Sequence, residues 1–398
     1  MKKSLILLVA MAVFFNSCSE NEFTGQYPTD GTPPGSITSP AVENTPGGAI
    51  ITYDIPDDED LLYVQAIYER NGKQIEQKAS AYKNSLVIEG FGKSAEHRVQ
   101  LIAYDRSNNA SPSVEVTIHP LDAPIYTIME SLQAQNDFGG IRLDWENPTG
   151  ADVVVSVITP SNTHGIEEFT EAETFYSKAK MGRGNVRGYQ DDERVFGIFA
   201  RDPWGNYTDT LTEIFQPIYE VEVDKSKFRR WNPPGIPYDG YASANWRIEN
   251  LWDGKIGSLG VANDQGFANL TKLEFTFDMG QTAKLSRFKI NQRSESHLIY
   301  NLGHPKRFQL WGSPHPNVNQ DFDNWIFLGE FESIKPSGLP LGQVSDEDIR
   351  YAWQTGEDWN VPLEAPPIRY IRFVGLETWG NGSAVQVMEM TLWGDNKY

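Results

Sequence analysis

The residues of this 398-residue chain that could do chemistry are acids, aromatics and amides rather than activated nucleophiles. There is no Gly-x-Ser-x-Gly elbow, no glycine-rich phosphate loop and no His-Glu-x-x-His zinc pair, and the six histidines are scattered. With 54 Asp and Glu residues, a chance pair of carboxylates across one cleft, the minimum for glycoside hydrolysis, stays open. A different chemistry is better provided for. Holding a sugar ring needs an aromatic face for its apolar side and guanidinium, imidazole or amide groups for its hydroxyls. Three turn-rich stretches carry that combination: Tyr241 with Trp246, then Arg293, His297 and Tyr300, then Trp379 with Asn381. Core packing competes for each of these aromatics, because a β-sandwich fills its interior with them. The acidic run Asp57-Asp58-Glu59-Asp60 lies between two predicted strands and lacks the spaced ligands of a calcium loop, so it reads as a solvated turn.

The elements that must position these groups begin with an address. Lys2 and Lys3, an apolar run from Leu5 to Phe15, and Asn16-Ser17 before Cys18 form a signal-peptide pattern. The apolar run falls short of the about 20 residues a spanning helix needs. Cys18 is the sole cysteine, which excludes an internal disulfide and leaves lipid attachment as its use. A Thr-, Gly- and Pro-rich stretch follows and reads as a flexible tether over 19–34. A formal charge of −20 excludes nucleic acid as a partner, since phosphate demands a basic surface.

The rest divides into two copies of one unit and a different third unit. Gly47-Gly48-Ala49-Ile50-Ile51-Thr52-Tyr53, with Pro56 and the run Leu61 to Tyr68 behind it, corresponds to Gly139-Gly140-Ile141-Arg142-Leu143-Asp144-Trp145, Pro148 and the run Val153 to Ile158. His97 to Tyr104 leads into Asp105-Arg106-Ser107-Asn108-Asn109, as Arg194 to Ala200 leads into Arg201-Asp202-Pro203-Trp204-Gly205-Asn206. The spacing of roughly 95 residues suits one small β-sandwich per copy. Within Ser113 to Ile118, Val114, Val116 and Ile118 face one way and Glu115 and Thr117 the other, as a strand with one wet face requires. The second copy departs between Thr159 and Asn185, where an insertion carrying Glu167, Glu168, Glu171 and Glu173 reads as a long loop or short helix. From Val223 onward aromatic density rises, and nine of the eleven tryptophans lie there.

These repeats resemble the tandem fibronectin type III-like domains of Bacteroidetes surface lipoproteins. In the last unit, Asn250-Leu251-Trp252-Asp253-Gly254-Lys255, Phe275-Thr276-Phe277-Asp278-Met279-Gly280, Lys306-Arg307-Phe308-Gln309-Leu310-Trp311-Gly312-Ser313, Arg369-Tyr370-Ile371-Arg372-Phe373 and Met388-Glu389-Met390-Thr391-Leu392-Trp393-Gly394 follow the strand order of discoidin-like domains, related to coagulation factor C and galactose-binding modules. The resemblance implies an all-β chain: fibronectin III-like sandwiches over 35–121 and 122–222, then a discoidin-like jelly roll over 223–398. It places the three aromatic stretches in loops at one rim of the jelly roll, with Trp379 a rim residue whose loss would weaken binding and leave stability intact. It also implies one structural calcium ion held by Asp253 and Glu389; the same two residues read equally well as a plain turn and a water-facing strand position.

The expected function is therefore that of a non-catalytic, lipid-anchored outer-membrane protein, exposed on the cell surface and accessory to a Sus-like polysaccharide uptake system. Its expected partners are a glycan and other outer-membrane uptake proteins. An adaptor that binds another protein is the competing class, and a glycoside hydrolase the remote one.

Overall fold

A computed structural model describes residues 30–163, 166–231, 246–257, 261–263, 273–319, 321–382 and 384–398. Cys18 and Tyr241 lie outside the described residues.

The first sandwich pairs a three-stranded sheet, β1 (Thr38–Thr45), β2 (Gly48–Asp54) and β5 (Ser85–Glu89) in the order β1-β2-β5, with a four-stranded one. The second sheet has the order β4-β3-β6-β7, with β3 at Leu61–Arg70, β4 at Lys73–Ser80, β6 at His97–Asp105 and β7 at Val114–Ile118. Alternation fills the space between them: Ile51, Tyr53, Val64, Ala66, Leu86, Ile88, Val99, Leu101 and Ala103 are buried. On β7, Val116 and Ile118 are buried while Glu115 and Thr117 face water, the alternation the sequence carries.

The second sandwich repeats this wiring. Its sheets are β12-β9-β8 and β11-β10-β13-β14, with β8 at Gln133–Asp137, β9 at Gly140–Glu146, β10 at Val153–Thr163, β11 at Ile166–Ser177, β12 at Met181–Val186, β13 at Arg194–Arg201 and β14 at Leu211–Phe215. The shared double glycine has one physical cause in both copies. Gly47 and Gly139 take φ of 69° and 64°, open to glycine at no steric cost. A Cβ on Gly48 would sit 2.2 Å from the Ile88 carbonyl oxygen, and one on Gly140 would sit 2.0 Å from that of Val186.

One expectation changes. The insertion after Thr159 is neither loop nor helix: β10 and β11 are strands of 11 and 12 residues paired from Val153↔Ser177 to Thr163↔Ile166. Cross-strand pairing supplies partners for its backbone groups, and acids such as Glu168, Glu171 and Glu173 are carried on its exposed positions. Helix α1 (Pro124–Ser131) joins the sandwiches, with Ile125 and Ile128 buried in the second core.

The C-terminal sandwich is organised by one long strand. Its strands are β15 (Val221–Glu222), β16 (Arg229–Arg230), β17 (Val261–Asn263), β18 (Leu273–Asn291), β19 (Pro305–Ser313), β20 (Ile326–Glu332), β21 (Glu357–Asn360), β22 (Ile368–Thr378), β23 (Val385–Val387) and β24 (Glu389–Asp395). The first half of β18 pairs with β22, and the second half with β24 and β21, so a single strand serves both layers. Gly280 marks the turnover, at φ 66° and with only 2.1 Å between a would-be Cβ and the Lys227 carbonyl oxygen. The core is aromatic: Phe373 stacks on Phe275 and on Phe308 with centroids 4.8 Å apart in each pair. The opposite face of β18 is also covered. Glu274 is 1% exposed and pairs with the fully buried Arg372 at 2.9 Å, while Asp278 receives two 2.8 Å bonds from Arg369. The chain is thus all-β, two fibronectin III-like sandwiches followed by a discoidin-type jelly roll.

Candidate functional site

Loops from four places meet at one end of the jelly roll. Trp246 precedes the short 3-10 turn Ile248–Trp252, Arg293 to Leu302 follow β18, and Thr378 to Gly382 join β22 to β23. The backbone zips the last two loops together. Trp379 N–H donates to the His304 carbonyl at 2.9 Å, Gly380 N–H to Leu302 at 2.9 Å, and Gln386 N–H to Gly303 at 2.8 Å. Tyr300 and Leu302 sit at φ 50° and 49°, a left-handed conformation that costs non-glycine residues energy and is held here by these bonds.

The fourth contributor is a buried network behind the loops. Trp379 Nε1 donates to Ser333 Oγ at 3.0 Å, Ser333 Oγ and Gln292 Nε2 donate to Glu357 Oε1 at 2.9 Å each, and Tyr300 N–H donates to Gln292 Oε1 at 2.8 Å. This assigns two expected binding residues to other work. Tyr300 is 1% exposed, its hydroxyl donating to the Ile334 carbonyl, so its ring offers no face to a ligand. Trp379 packs edge-on against Tyr300 at 5.0 Å and belongs to the same small core with Ile299 and Ala352. Trp379→Ala is therefore expected to lower stability by about 1–3 kcal/mol, since it removes packing against Tyr300 and the indole donor to the buried Ser333 hydroxyl. Thermal melting checks this; an unchanged melt would return Trp379 to the rim.

What remains at the rim is a smaller set, of which Trp246 and Arg293 are partly buried. The Arg293 guanidinium lies 5.5 Å from the Trp246 ring centroid and is braced by Glu295 through bonds of 2.9 and 3.2 Å. Arg293 holds the Glu295 carboxyl below its ordinary range. His297 and Asn381 are exposed on the neighbouring loops, and the Asn301 amide donates to the His297 carbonyl at 3.4 Å. Asn381 takes φ 52°, a conformation asparagine tolerates better than most residues. Trp246 and Arg293 thus come together and Glu295 joins them, while His297 and Asn381 are exposed on the two loops that the backbone zips together at Leu302 and Gly303. Only the spacing Arg293-Ser294-Glu295 hinted at Glu295. A second exposed aromatic group went unread: Trp311 contacts Phe322 at 4.5 Å and Phe327 at 4.9 Å, and Phe327 is half exposed on β20.

Two buried titratable groups support the rim. Burial pushes His304 down to about 3, and its Nδ1 faces the Gln386 carbonyl oxygen while Nε2 has no partner. Burial pushes Glu357 up to about 7, against the pull of Ser333, Gln292 and the Ile334 N–H. The signs are opposite. The lowered His304 contributes stability above its ordinary 6.5 and loses it as pH falls through about 3; the raised Glu357 contributes below its ordinary 4.5 and loses it as pH rises through about 7. The two slopes oppose between about 4.5 and 6.5, leaving His304 alone below 4.5. His304→Asn should remove up to about 1.4 kcal/mol per pH unit of acid sensitivity there. Chemical unfolding at pH 3.5, 4.5 and 8 reads the difference between wild type and variant; parallel curves would contradict it.

Asp253 and Glu389 also meet, burial and then the nearby Asp253 charge pushing the Glu389 carboxyl up, but the arrangement fits calcium poorly. Glu389 is 3% exposed and ion-paired with the Lys225 ammonium, which also bonds Thr391 at 2.7 Å. Asp253 faces Lys255 at 3.5 Å. Lys225 already offsets the Glu389 charge through Oε1, so although Oε2 has no hydrogen-bond partner a divalent ion that prefers several free carboxylates would have to compete with an ammonium.

Three family models match the chain, each described as a domain of unknown function: DUF4959 over residues 34–120, DUF5126 over 121–226 and DUF5000 over 252–394. No curated protein matches. Among solved structures, the SusE-like protein BT2857 is 31% identical, over 68% of this chain and 99% of that one, with a TM-score of 0.44. CBM32-3 from a family 31 glycoside hydrolase of Clostridium perfringens is 17% identical over 44% of this chain and 95% of its own, at a TM-score of 0.32. A putative chitobiase fragment from Bacteroides thetaiotaomicron is 22% identical over 46% and 96%, at a TM-score of 0.32.

Proposed function

Because the chain, 31% identical over nearly all of its relative, belongs to the family of the SusE-like protein BT2857, we propose that it is a non-catalytic glycan-binding protein of a Sus-like polysaccharide uptake system. The observation that carries this reading is the half-buried Trp246 ring beside an Arg293 fixed by Glu295, and His297 and Asn381, exposed on neighbouring loops, are proposed to complete the site. A tryptophan face suits the apolar side of a pyranose, and a braced guanidinium donates to hydroxyls with little entropy left to lose. The two fibronectin III-like sandwiches act as spacers. Lipid attachment at Cys18, on the outer membrane and facing the medium, completes the proposal.

A shallow rim buries little ligand surface, so affinity per site is expected in the micromolar to millimolar range, raised by avidity on a polymer. Trp246→Ala should weaken retention by about 1–3 kcal/mol, a factor of roughly 5 to 150, without moving the melting temperature. Affinity electrophoresis of the full chain against plant, host and microbial polysaccharides measures this. If wild type is retained by none of them, the adaptor reading takes over; if Trp246→Ala is retained as strongly as wild type, the site lies elsewhere, with Trp311 and Phe327 next in line. For the anchor, Cys18→Ala is expected to move the protein from the detergent phase to the aqueous phase, and persistence in the detergent phase would overturn lipidation.

A further inference from the structure

In the acidic run read as a solvated turn, Asp57 and Glu59 are exposed as expected, but Asp60 does not stay in water. Asp60 is 7% exposed and Asp105 fully buried, and with Asp30 they bring one carboxylate oxygen each to within 4.8 Å of one another. Asp60 Oδ2 has no hydrogen-bond partner. No lysine or arginine forms an ion pair with any of the three among the described residues. Asp58 adds a fourth carboxylate, its Oδ1 accepting the Asp60 N–H at 3.1 Å.

The second sandwich supplies an internal control. Asp105 closes the turn after β6 by accepting the Asn109 N–H at 2.7 Å and its side-chain amide at 2.8 Å. Asp202 closes the equivalent turn after β13 in the same way with Asn206, at 2.9 and 2.7 Å. There, however, the loop before β10 offers only Asp152, which points out and pairs with Lys178 at 3.0 Å. The turn folds without further acids, so Asp30 and Asp60 are not explained by it.

We propose that Asp30, Asp60 and Asp105 hold a calcium ion at this end of the first sandwich. Calcium takes six to eight oxygens at 2.3–2.6 Å in irregular geometry, and two buried carboxylates supplemented by an exposed one suit it, whereas magnesium keeps several waters and demands an octahedron. The ion would act as a clasp on the incoming chain. Asp30 is already docked on the turn that closes β6, its N–H donating to Ser107 Oγ at 2.9 Å and its carbonyl accepting from Asn109 at 3.2 Å. Charge neutralisation by the ion fixes the end of the tether to the sandwich. This site is independent of the glycan reading.

The test uses the full chain stripped with EDTA and titrated with calcium chloride in a calorimeter, with melts recorded in calcium and in EDTA. Wild type should bind calcium and melt higher in its presence. Asp60→Asn should weaken binding about tenfold or more, melting below wild type in calcium but at or above it in EDTA, where removing a like charge relieves repulsion. Asp30→Asn, exposed and outside any strand, should weaken binding similarly and keeps the test valid should Asp60→Asn misfold. Glu389→Gln should leave binding unchanged. The proposal is overturned if wild type binds no calcium at millimolar concentration, if both Asp variants bind like wild type, if Glu389→Gln removes the binding, or if magnesium binds as tightly as calcium.

Discussion

Phe308→Ala should cost the C-terminal sandwich about 3–5 kcal/mol, the range for emptying a buried phenylalanine site. Phe308 is fully buried on β19, and four aromatic rings converge on it. It stacks with Phe373 at 4.8 Å, meets Trp359 edge-on at 5.1 Å, and touches Phe331 at 5.7 Å and Phe288 at 6.2 Å. Those neighbours sit on β22, β21, β20 and β18, so the ring is the contact through which the strands agree on their spacing. Large rigid rings cannot collapse into the void without leaving their own favourable geometry, which puts the loss at the upper end of the range. Nine of the eleven tryptophans lie at or beyond Trp231, so intrinsic fluorescence in a denaturant titration follows this unit. A midpoint shift equivalent to less than about 1 kcal/mol would mean that the aromatic stack is not what holds the layers together.

Gly303→Ala should do comparable damage by a different route, and should abolish ligand retention as well. A Cβ there would lie 1.9 Å from the Ala384 carbonyl oxygen. The obstacle is backbone, held by the Gln386 N–H bond to Gly303 itself at 2.8 Å, so the two loops must separate for the methyl group to fit. Separation breaks the adjacent bonds from Trp379 and Gly380, releases the left-handed Tyr300 and Leu302, and exposes His304 and the hydrogen-bonded chain from Trp379 to Glu357. A loss of about 3 kcal/mol or more follows from several buried polar groups losing partners together. Melting and polysaccharide retention should fall together. Full retention at wild-type stability would show that the zipped loops are dispensable. A stable variant with lost retention would show that they position the rim without supporting the core.

The repeat was legible because it rests on local rules. Gly47-Gly48 and Gly139-Gly140 recur because each pair joins a positive-φ turn to a close backbone approach, and Asp105 with Asn109 recurs as Asp202 with Asn206 because the side chains close the same turn. Strand alternation on β7 and the aromatic strands of the jelly roll were legible for the same reason: period two is a property of neighbouring residues. The insertion after Thr159 reads as a polar loop because its glutamates leave little apolar alternation to mark a strand; the ladder to β10, from Val153↔Ser177 to Thr163↔Ile166, decides, and backbone pairing leaves no mark in side-chain polarity.

The sequence by itself determined the class, the repeat, the order of the strands and the absence of familiar nucleophile and phosphate motifs, since composition, turn chemistry and periodicity act over a few residues. Which side chains meet was left to the tertiary structure. Tyr300 looks like a rim aromatic in the chain and is a packing residue in the fold, with the half-buried Trp379 packed against it, because loops from β18 and β22 close over the ring. Glu389 met Lys225 from 164 residues earlier, and Asp60 met Asp30 and Asp105 across a sandwich end. Burial and charge pairing are sums over neighbours distant in sequence. They decide whether a carboxylate is a turn, an ion pair or a ligand, and only the packed chain specifies those neighbours.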